Sequence, residues 1–399
     1  MKIAWSGVHE RRKAFNILLK ALERLPKNES SRIEVKVLGK GPKSDSWLKM
    51  VQKSLIKDQI NWIGYVPKNE AYTHVLESDI FVITSLHDLT STVLLEALSL
   101  GKPVVCLDHC GFSDVVDETC GIKVKVGWPR QVVEGFAEAI KMLLDEGLRA
   151  RLSEGAIRKA RQYQWCEKKK VLRKIYGKGG NKICASVYAC SPYRGSEPGE
   201  GWNYLMAIAE NNEVWAIVEK EKWKKDIERK IKNEHIDLFD NIHFIYLKKP
   251  RARWLRKIWP PSYYWFYRIW QLKAYRKACE LDEEINFDVF HQLNMVTFRE
   301  PGYLWRFNRR FIWGPIGGLG YTNWRLLPLM GFVGVLDFCA RNLINWCQAH
   351  FLIRPRLAAR CAASTGGLIV ATRENQREVK KLWGVDSTLL CEIGVEDEE

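Results

Sequence analysis

The chain has 399 residues, 46% hydrophobic and 28% charged, too many for one ordinary domain and enough for two, each with its own core. Seventeen tryptophans exclude intrinsic disorder. Lys and Arg number 63 against 47 Asp and Glu, and the resulting +16 points first to nucleic acid, an anionic membrane surface or phosphorylated ligands.

The N-terminal stretch M-K-I-A-W-S-G-V-H-E-R-R-K holds no apolar run of signal-peptide length, so secretion is not expected. Beyond it, short β-branched runs at 2–5, 34–38, 60–65, 79–84, 103–107 and 122–126 read as strands. Amphipathic stretches such as 12–25 and 46–55 lie between most of them. Strands alternating with helices predict a parallel sheet covered on both faces. Residues 131–176 are helical in pattern and highly charged. The run Y-G-K-G-G-N at 176–181 then breaks the pattern. Alternation restarts at 182–187 and continues through 214–218, 243–247, 288–291, 311–313, 368–371 and 389–393. Two α/β domains are expected, 1–178 and 179–399. The first carries 31 basic and 21 acidic residues and the second 32 and 26, so neither alone explains the charge. The longest apolar run, 326–336, stops before Asp337 and Arg341. It is well short of the ~20 residues of a membrane span, and a soluble or peripheral protein is expected. Eleven cysteines without a C-x-x-C read as reduced thiols in the cytoplasm.

Candidate chemistry gathers where strands end. The strand at 79–84 feeds a loop, 85–91, and a helix starting near Thr92. In H-D-L-T-S-T-V-L-L-E-A-L, Asp88 and Glu96 have seven residues between them. A loop of small residues at a helix N-terminus, on the carboxyl edge of a parallel strand, presents backbone N–H groups and the helix dipole to an anion. Leu89, Thr90, Ser91 and Thr92 form that loop, and Glu96, one turn in, is placed for a ribose diol. The plainer alternative is an ordinary helix cap with Glu96 on a solvated face. Ser6 and Gly7 follow the first strand, and Lys13 is expected one turn into the next helix, where Nζ neutralises a phosphate as a point charge. Gly39 and Gly41 follow the second strand, Gly64 ends the third, and Cys110-Gly111 follow the fifth.

Taken in order, S-G-x5-K, L-G-K-G-P, W-I-G-Y-V, S-D-I-F-V-I-T-S, D-x7-E-A-L-x-x-G-K-P-V-V and G-F-x-D-V-V resemble the nucleotide-sugar domain of retaining family 4 glycosyltransferases. The resemblance covers about residues 1–176. It implies the GT-B fold, two Rossmann-like domains facing across a cleft. It also implies roles: Glu96 on the ribose, Asp88 at the donor sugar, Leu89–Thr92 and Lys13 on the diphosphate. The family usually has Glu where Asp88 stands, and Arg where Val8 follows the first glycine; Arg11 and Arg12 stand nearby as substitutes. The second half resembles the acceptor domain of the same family through C-S-P-Y-R-G-S-E-P-G-E-G-W (190–202), F-D-V-F-H-Q-L-N, R-E-P-G-Y-L-W, F-I-W-G-P-I-G-G and L-I-V-A-T-R-E-N. Arg194, Gly195, Glu197 and Gly199 are then candidate acceptor contacts, and His291, ending a strand, a candidate catalytic group. Where the family's catalytic His usually stands, this chain reads G-P-I-G-G. The acceptor domain comes first in the family and second here, so the order is swapped, by circular permutation or by fusion of two halves.

The implied reaction transfers a sugar from a nucleotide-diphosphate donor (UDP-, GDP- or ADP-sugar) to a hydroxyl of a glycan or lipid-linked acceptor, with retention. Stabilising the departing diphosphate is the main demand. No Asp-x-Asp occurs in the chain, so no metal and no cofactor beyond the donor are expected. Residues 248–277 carry ten Lys or Arg, nine aromatics and no acid. Such a segment suits an anionic membrane surface, which places the protein in the cytoplasm, peripheral at the inner face of the membrane. No nucleic-acid motif is present. Other readings of the same fold are a sugar-nucleotide epimerase or phosphorylase, and a non-catalytic nucleotide-sugar binder or fused remnant.

Overall fold

The computed structural model describes residues 1–250 and 262–396. It forms two compact units. Among the described residues the first comprises 1–164, 321–345 and 394–396; the second comprises 165–250, 262–320 and 346–393.

Each unit is built on a parallel sheet. In the first unit the strands are β1 (Lys2–Ser6), β2 (Glu34–Leu38), β3 (Ile60–Gly64), β4 (Ile80–Ile83), β5 (Val104–Leu107) and β6 (Gly121–Val124), in the order β3-β2-β1-β4-β5-β6. The central strands are buried on both faces: Ile-Phe-Val-Ile in β4 and Val-Val-Cys-Leu in β5 are all buried, as strands covered by helices on two sides must be. The core joins them to Phe15, Leu18 and Leu22 and to Phe136 and Ile140, and the helices Asn16–Glu23 and Pro129–Met142 pack against each other on the same side of the sheet. This order reverses direction between β1 and β4, the switch point at whose carboxyl ends open α/β sheets carry their ligand crevice.

The second unit repeats the plan. Its strands are β7 (Lys182–Val187), β8 (Glu213–Glu219), β9 (Ile242–Leu247), β10 (Val289–Asn294), β11 (Arg310–Ile316), β12 (Leu368–Val370) and β13 (Thr388–Leu389), ordered β13-β12-β11-β10-β7-β8-β9. All registered pairs are parallel. The reversal here lies between β7 and β10.

Three details differ from the sequence expectation. The amphipathic stretch 12–25 is a short 3-10 turn, Arg11–Lys13, followed by a helix, Asn16–Glu23. The break has a cause: the Arg12 carbonyl accepts the Leu86 N–H at 2.7 Å and the Lys13 carbonyl accepts the Thr84 hydroxyl at 2.7 Å. Both carbonyls are thereby taken by the loop after β4. Lys13 therefore stands in the loop after β1, not one turn into a helix. Second, the helix Trp165–Tyr176 buries Trp165, Leu172, Ile175 and Tyr176 in the core of the second unit. The compact units consequently part before this helix, ahead of the glycine-rich 176–181. Third, Asp337 and Arg341 do not end the apolar run. They pair with each other one turn apart, at 2.9 Å, on a helix running Gly331–Phe351. By length and composition, the stretch Trp324–Phe351 is long and apolar enough to cross a membrane.

The basic, aromatic segment 248–277 is divided. Residues 251–261 lie outside the described residues. Of the rest, Tyr267 and Trp270 are fully buried and belong to the core, and Lys249 is buried against the rings of Tyr188 and Tyr263, while Tyr264 and Trp265 are exposed.

Candidate active site

The carboxyl ends of β1 and β4 bring Asp88 to two neighbouring cations, Arg12 and Lys13, from 75 residues further along the chain. Lys13 Nζ lies 2.5 Å from Asp88 Oδ2, and Arg12 reaches the same oxygen at 3.0 Å. Lys13 is almost wholly buried, and Asp88 is mostly so. Burial alone would raise the Asp88 pKa, but the two cations and their hydrogen bonds outweigh it and hold the carboxyl below its usual range. Asp88 is thus ionised under two positive charges. Arg12 also bonds Glu10 at 2.6 Å and donates to the His87 carbonyl at 3.3 Å. The pair is anchored from beneath: Trp5 Nε1 donates to Thr84 Oγ1 at 3.0 Å, the hydroxyl that donates to the Lys13 carbonyl.

The loop after β4 ends at the helix Thr92–Ser99, whose N-cap, Ser91, makes no side-chain cap bond, and whose first turn holds no acid. The first-turn N–H groups are therefore not closed off by a capping side chain, as an anion site requires. The loop leans on the turn after β5. Gly111 N–H donates to the Leu89 carbonyl at 3.2 Å, and a side chain at Gly111 would strike Thr90 Oγ1 and the Leu89 oxygen. Glu96 pairs with Lys68, at 3.1 Å.

The turn after β2 closes against the loop after β1. Gly7 N–H donates to the Leu38 carbonyl at 3.2 Å, and His9 N–H to the Lys40 carbonyl at 3.2 Å. Gly39 has φ +117°, and a Cβ there would run into the Gly7 oxygen, so only glycine fits. Ser6 and Gly7 border this turn, and Gly41 N–H donates to Ser44 Oγ at 2.9 Å. His9, fully buried among Trp5, Trp47 and Trp62, holds Ser44 through Nδ1 at 2.8 Å. Val8, at the position of the family's arginine, is exposed.

Sequence reasoning passed over His9, Glu10 and Lys68, each lacking a spaced partner in the chain. It also passed over a group of three, His87, His109 and Cys110, whose ligand atoms lie within 4.8 Å of one another. Burial first, and His87 second, lower the His109 pKa to about 4, so its imidazole is neutral, the form that binds metals. Among the described residues this is the one such group.

In the second unit the same logic places Glu197 at the β7/β10 reversal. Its Oε1 accepts the Val296 N–H at 2.7 Å, from the loop after β10, while burial raises its pKa. Arg194 is turned outward and pairs with Asp226 at 3.1 Å. Gly195 has open space where a Cβ would stand, whereas Gly199 packs on the Arg194 carbonyl. His291 is fully buried. Tyr176 Oη lies 2.5 Å from Nδ1, and Nε2 lies 3.0 Å from the Gly314 carbonyl oxygen. The carbonyl can only accept, so Nε2 carries the proton and the tyrosine donates to Nδ1. Both ring nitrogens are engaged, and burial lowers the pKa to about 4. The ring is a neutral strut between strand and helix, with no atom presented to a ligand.

Residues 2–159 match the family described as Glycosyl transferases group 1. That glycosyltransferase segment contains every donor-side residue singled out above, from Ser6 to Glu96. Among curated proteins, the chain is 27% identical over 171 residues to the O-antigen chain mannosyltransferase B of Escherichia coli, across 41% of this chain and 44% of that protein. It is 30% identical over 145 residues to the lipopolysaccharide core biosynthesis glycosyltransferase LpsE of Rhizobium meliloti, across 36% and 39%. The chain spans less than half the length of either relative. Among solved structures, the pneumococcal O-GlcNAc transferase GtfA, in complex with UDP and GlcNAc, superposes with a TM-score of 0.40 at 16% identity. The superposition covers 43% of this chain and 34% of that one.

Proposed function

We propose that the protein is a glycosyltransferase that moves a sugar from a nucleotide-diphosphate sugar to a hydroxyl of a glycan or lipid-linked acceptor, keeping the anomeric configuration. The observation that carries this reading is that the glycosyltransferase match falls on the segment whose crevice holds Asp88 under Lys13 and Arg12. The two relatives, an O-antigen mannosyltransferase and a lipopolysaccharide core glycosyltransferase, favour a glycan or glycolipid acceptor. On this reading the units stand in swapped order, with the donor unit first.

The diphosphate takes Lys13 and Arg12 from Asp88 and rests on the N–H groups of Leu89 to Thr92. Glu96, paired with Lys68, receives the ribose. As the bond from the anomeric carbon to the leaving oxygen breaks, charge grows on the diphosphate and Lys13 meets it at fixed geometry, with little reorganisation. The acceptor hydroxyl attacks on the face that the diphosphate leaves, and its proton passes to the departing phosphate oxygen. Asp88, released from its cations, lies beside the positive charge developing on the sugar. No metal takes part in this scheme. The second unit meets the acceptor through the loop around Arg194, Gly195, Glu197 and Gly199, at the cytoplasmic face of a membrane.

A thermal-shift screen of UDP-, GDP- and ADP-sugars tests the donor. A ligand present at 100 times its Kd adds about 2.7 kcal/mol to the folded state, so one base is expected to raise Tm by several degrees. Lys13→Ala should lose that rise. If Tm stays unchanged with all three donors, the donor reading fails.

A further inference from the structure

The helix Gly331–Phe351 is inverted for a soluble protein. Its inward stripe carries one large apolar residue, Phe338, beside Gly334, Asn345 and Ala349, with Phe338, Asn345 and Ala349 buried. Asn342 donates to the Thr322 carbonyl at 3.4 Å, and Gln348 accepts from Arg299 at 2.5 Å. The outward stripe is Phe332, Leu336, Leu343, Trp346 and Phe351, at helical spacing, and Phe332, Leu343 and Phe351 are 80%, 62% and 70% exposed. A surface helix normally turns its apolar stripe to the core. Here the most apolar face is the one without protein against it, and such patches mark interaction sites. The patch continues: Trp324 is exposed and meets exposed Trp128 edge to face, and Ile353 is 71% exposed.

Two properties indicate what covers it. Residues 321–364 hold five arginines (325, 341, 354, 356 and 360) and one acid, Asp337. Arg11 adds a further cation beside Gly334. A second copy of this surface would bring like charge to like charge in a self-complementary contact, whereas anionic headgroups neutralise it. The exposed Trp324 and Trp346, on this stretch itself, are of the kind that settles at headgroup depth. The inward face, packed on protein, leaves only one side of the helix for lipid.

We propose that the helix Gly331–Phe351 lies in the headgroup plane of an anionic bilayer, with Phe332, Leu336, Leu343 and Phe351 in the acyl boundary and the exposed Arg325, Arg341 and Arg360 on phosphates. It binds along its length and does not span. This deepens the peripheral placement given above, but flotation is read without donor or acceptor, so its outcome is separate from that of glycosyl transfer. The full chain is floated with phosphatidylcholine vesicles, with and without one quarter phosphatidylglycerol. The comparison is the triple variant Phe332→Ser, Leu336→Gln, Leu343→Gln, whose three sites are exposed; an unchanged unfolding profile certifies its fold. The expected result is wild-type protein rising with the anionic vesicles and about tenfold or greater loss of partitioning in the variant. High salt should weaken wild-type binding. Wild-type protein that stays below the anionic vesicles overturns the proposal, as does a variant that floats equally well. A wild-type dimer that the variant converts to monomer, without vesicle binding, assigns the face to a second copy and also overturns it.

Discussion

A buried carboxylate under two cations, and a buried neutral imidazole, make opposite use of the same low dielectric. Asp88 pairs with Lys13 and Arg12, and their charge is available to any anion that competes for it. His291 is closed on both sides. Its folded pKa of about 4 lies below the unperturbed 6.5, so its contribution to stability is complete above pH 6.5. As pH falls from 6.5 to about 4, the unfolded chain takes up a proton that the folded chain refuses, and that contribution is lost. The full effect is ~3 kcal/mol at 1.36 kcal/mol per unit. His291→Gln keeps one donor and one acceptor. Urea unfolding at pH 7 and pH 4.5 should therefore show a stability drop smaller by ~2–3 kcal/mol in the variant than in the wild type. An identical drop in both would show that His291 does not titrate as its burial dictates. His109, lowered to about 4 by burial, keeps part of the acid sensitivity in either protein. Lys13 and Asp88 were legible in the sequence because both follow strand ends. Their ion pair was not, because it depends on Ala14 adopting φ 45° and turning the chain back at Lys13.

Elements were legible wherever the hydrophobic period was uninterrupted. Among the described residues, twelve of the thirteen strands fall on the expected runs, since central parallel strands are continuous β-branched stretches; the edge strand Thr388–Leu389 shares only Leu389 with the expected 389–393. The helix Trp165–Tyr176 was read as helical, but its charged sequence hid which core it serves. Leu172, fully buried in the second unit, decides that point. Leu172→Ala is expected to cost the second unit about 2–5 kcal/mol, lowering one unfolding transition and leaving the other in place, as calorimetry would show. The helix Gly331–Phe351 was missed for a different reason. Two opposite charges look like an end in one dimension, yet one turn apart they cancel each other.

At the scale of the molecule, two units repeat one plan, and in each the sheet order reverses beside residues singled out from the sequence: Lys13 and Asp88 flank the β1/β4 reversal, and Glu197, bonded to the Val296 N–H, the β7/β10 reversal. Glycines collected at strand ends gave the position of these crevices without giving their contents, because side-chain partners across a crevice share no sequence spacing. Part of the +16 charge stands at Arg12 and Lys13 beside Asp88, and part on the five arginines of residues 321–364. The central claim is glycosyl transfer at the first crevice. Its most direct test is turnover of the bound nucleotide sugar with a hydroxyl acceptor, with the product's anomeric configuration read by NMR. Wild type, Asp88→Ala and Glu96→Ala are compared, with and without a chelator. Transfer with retention is expected, unchanged by the chelator, with a loss of about a hundredfold or more in each variant. Donor that binds while all three proteins turn over alike, or a product of inverted configuration, would contradict it.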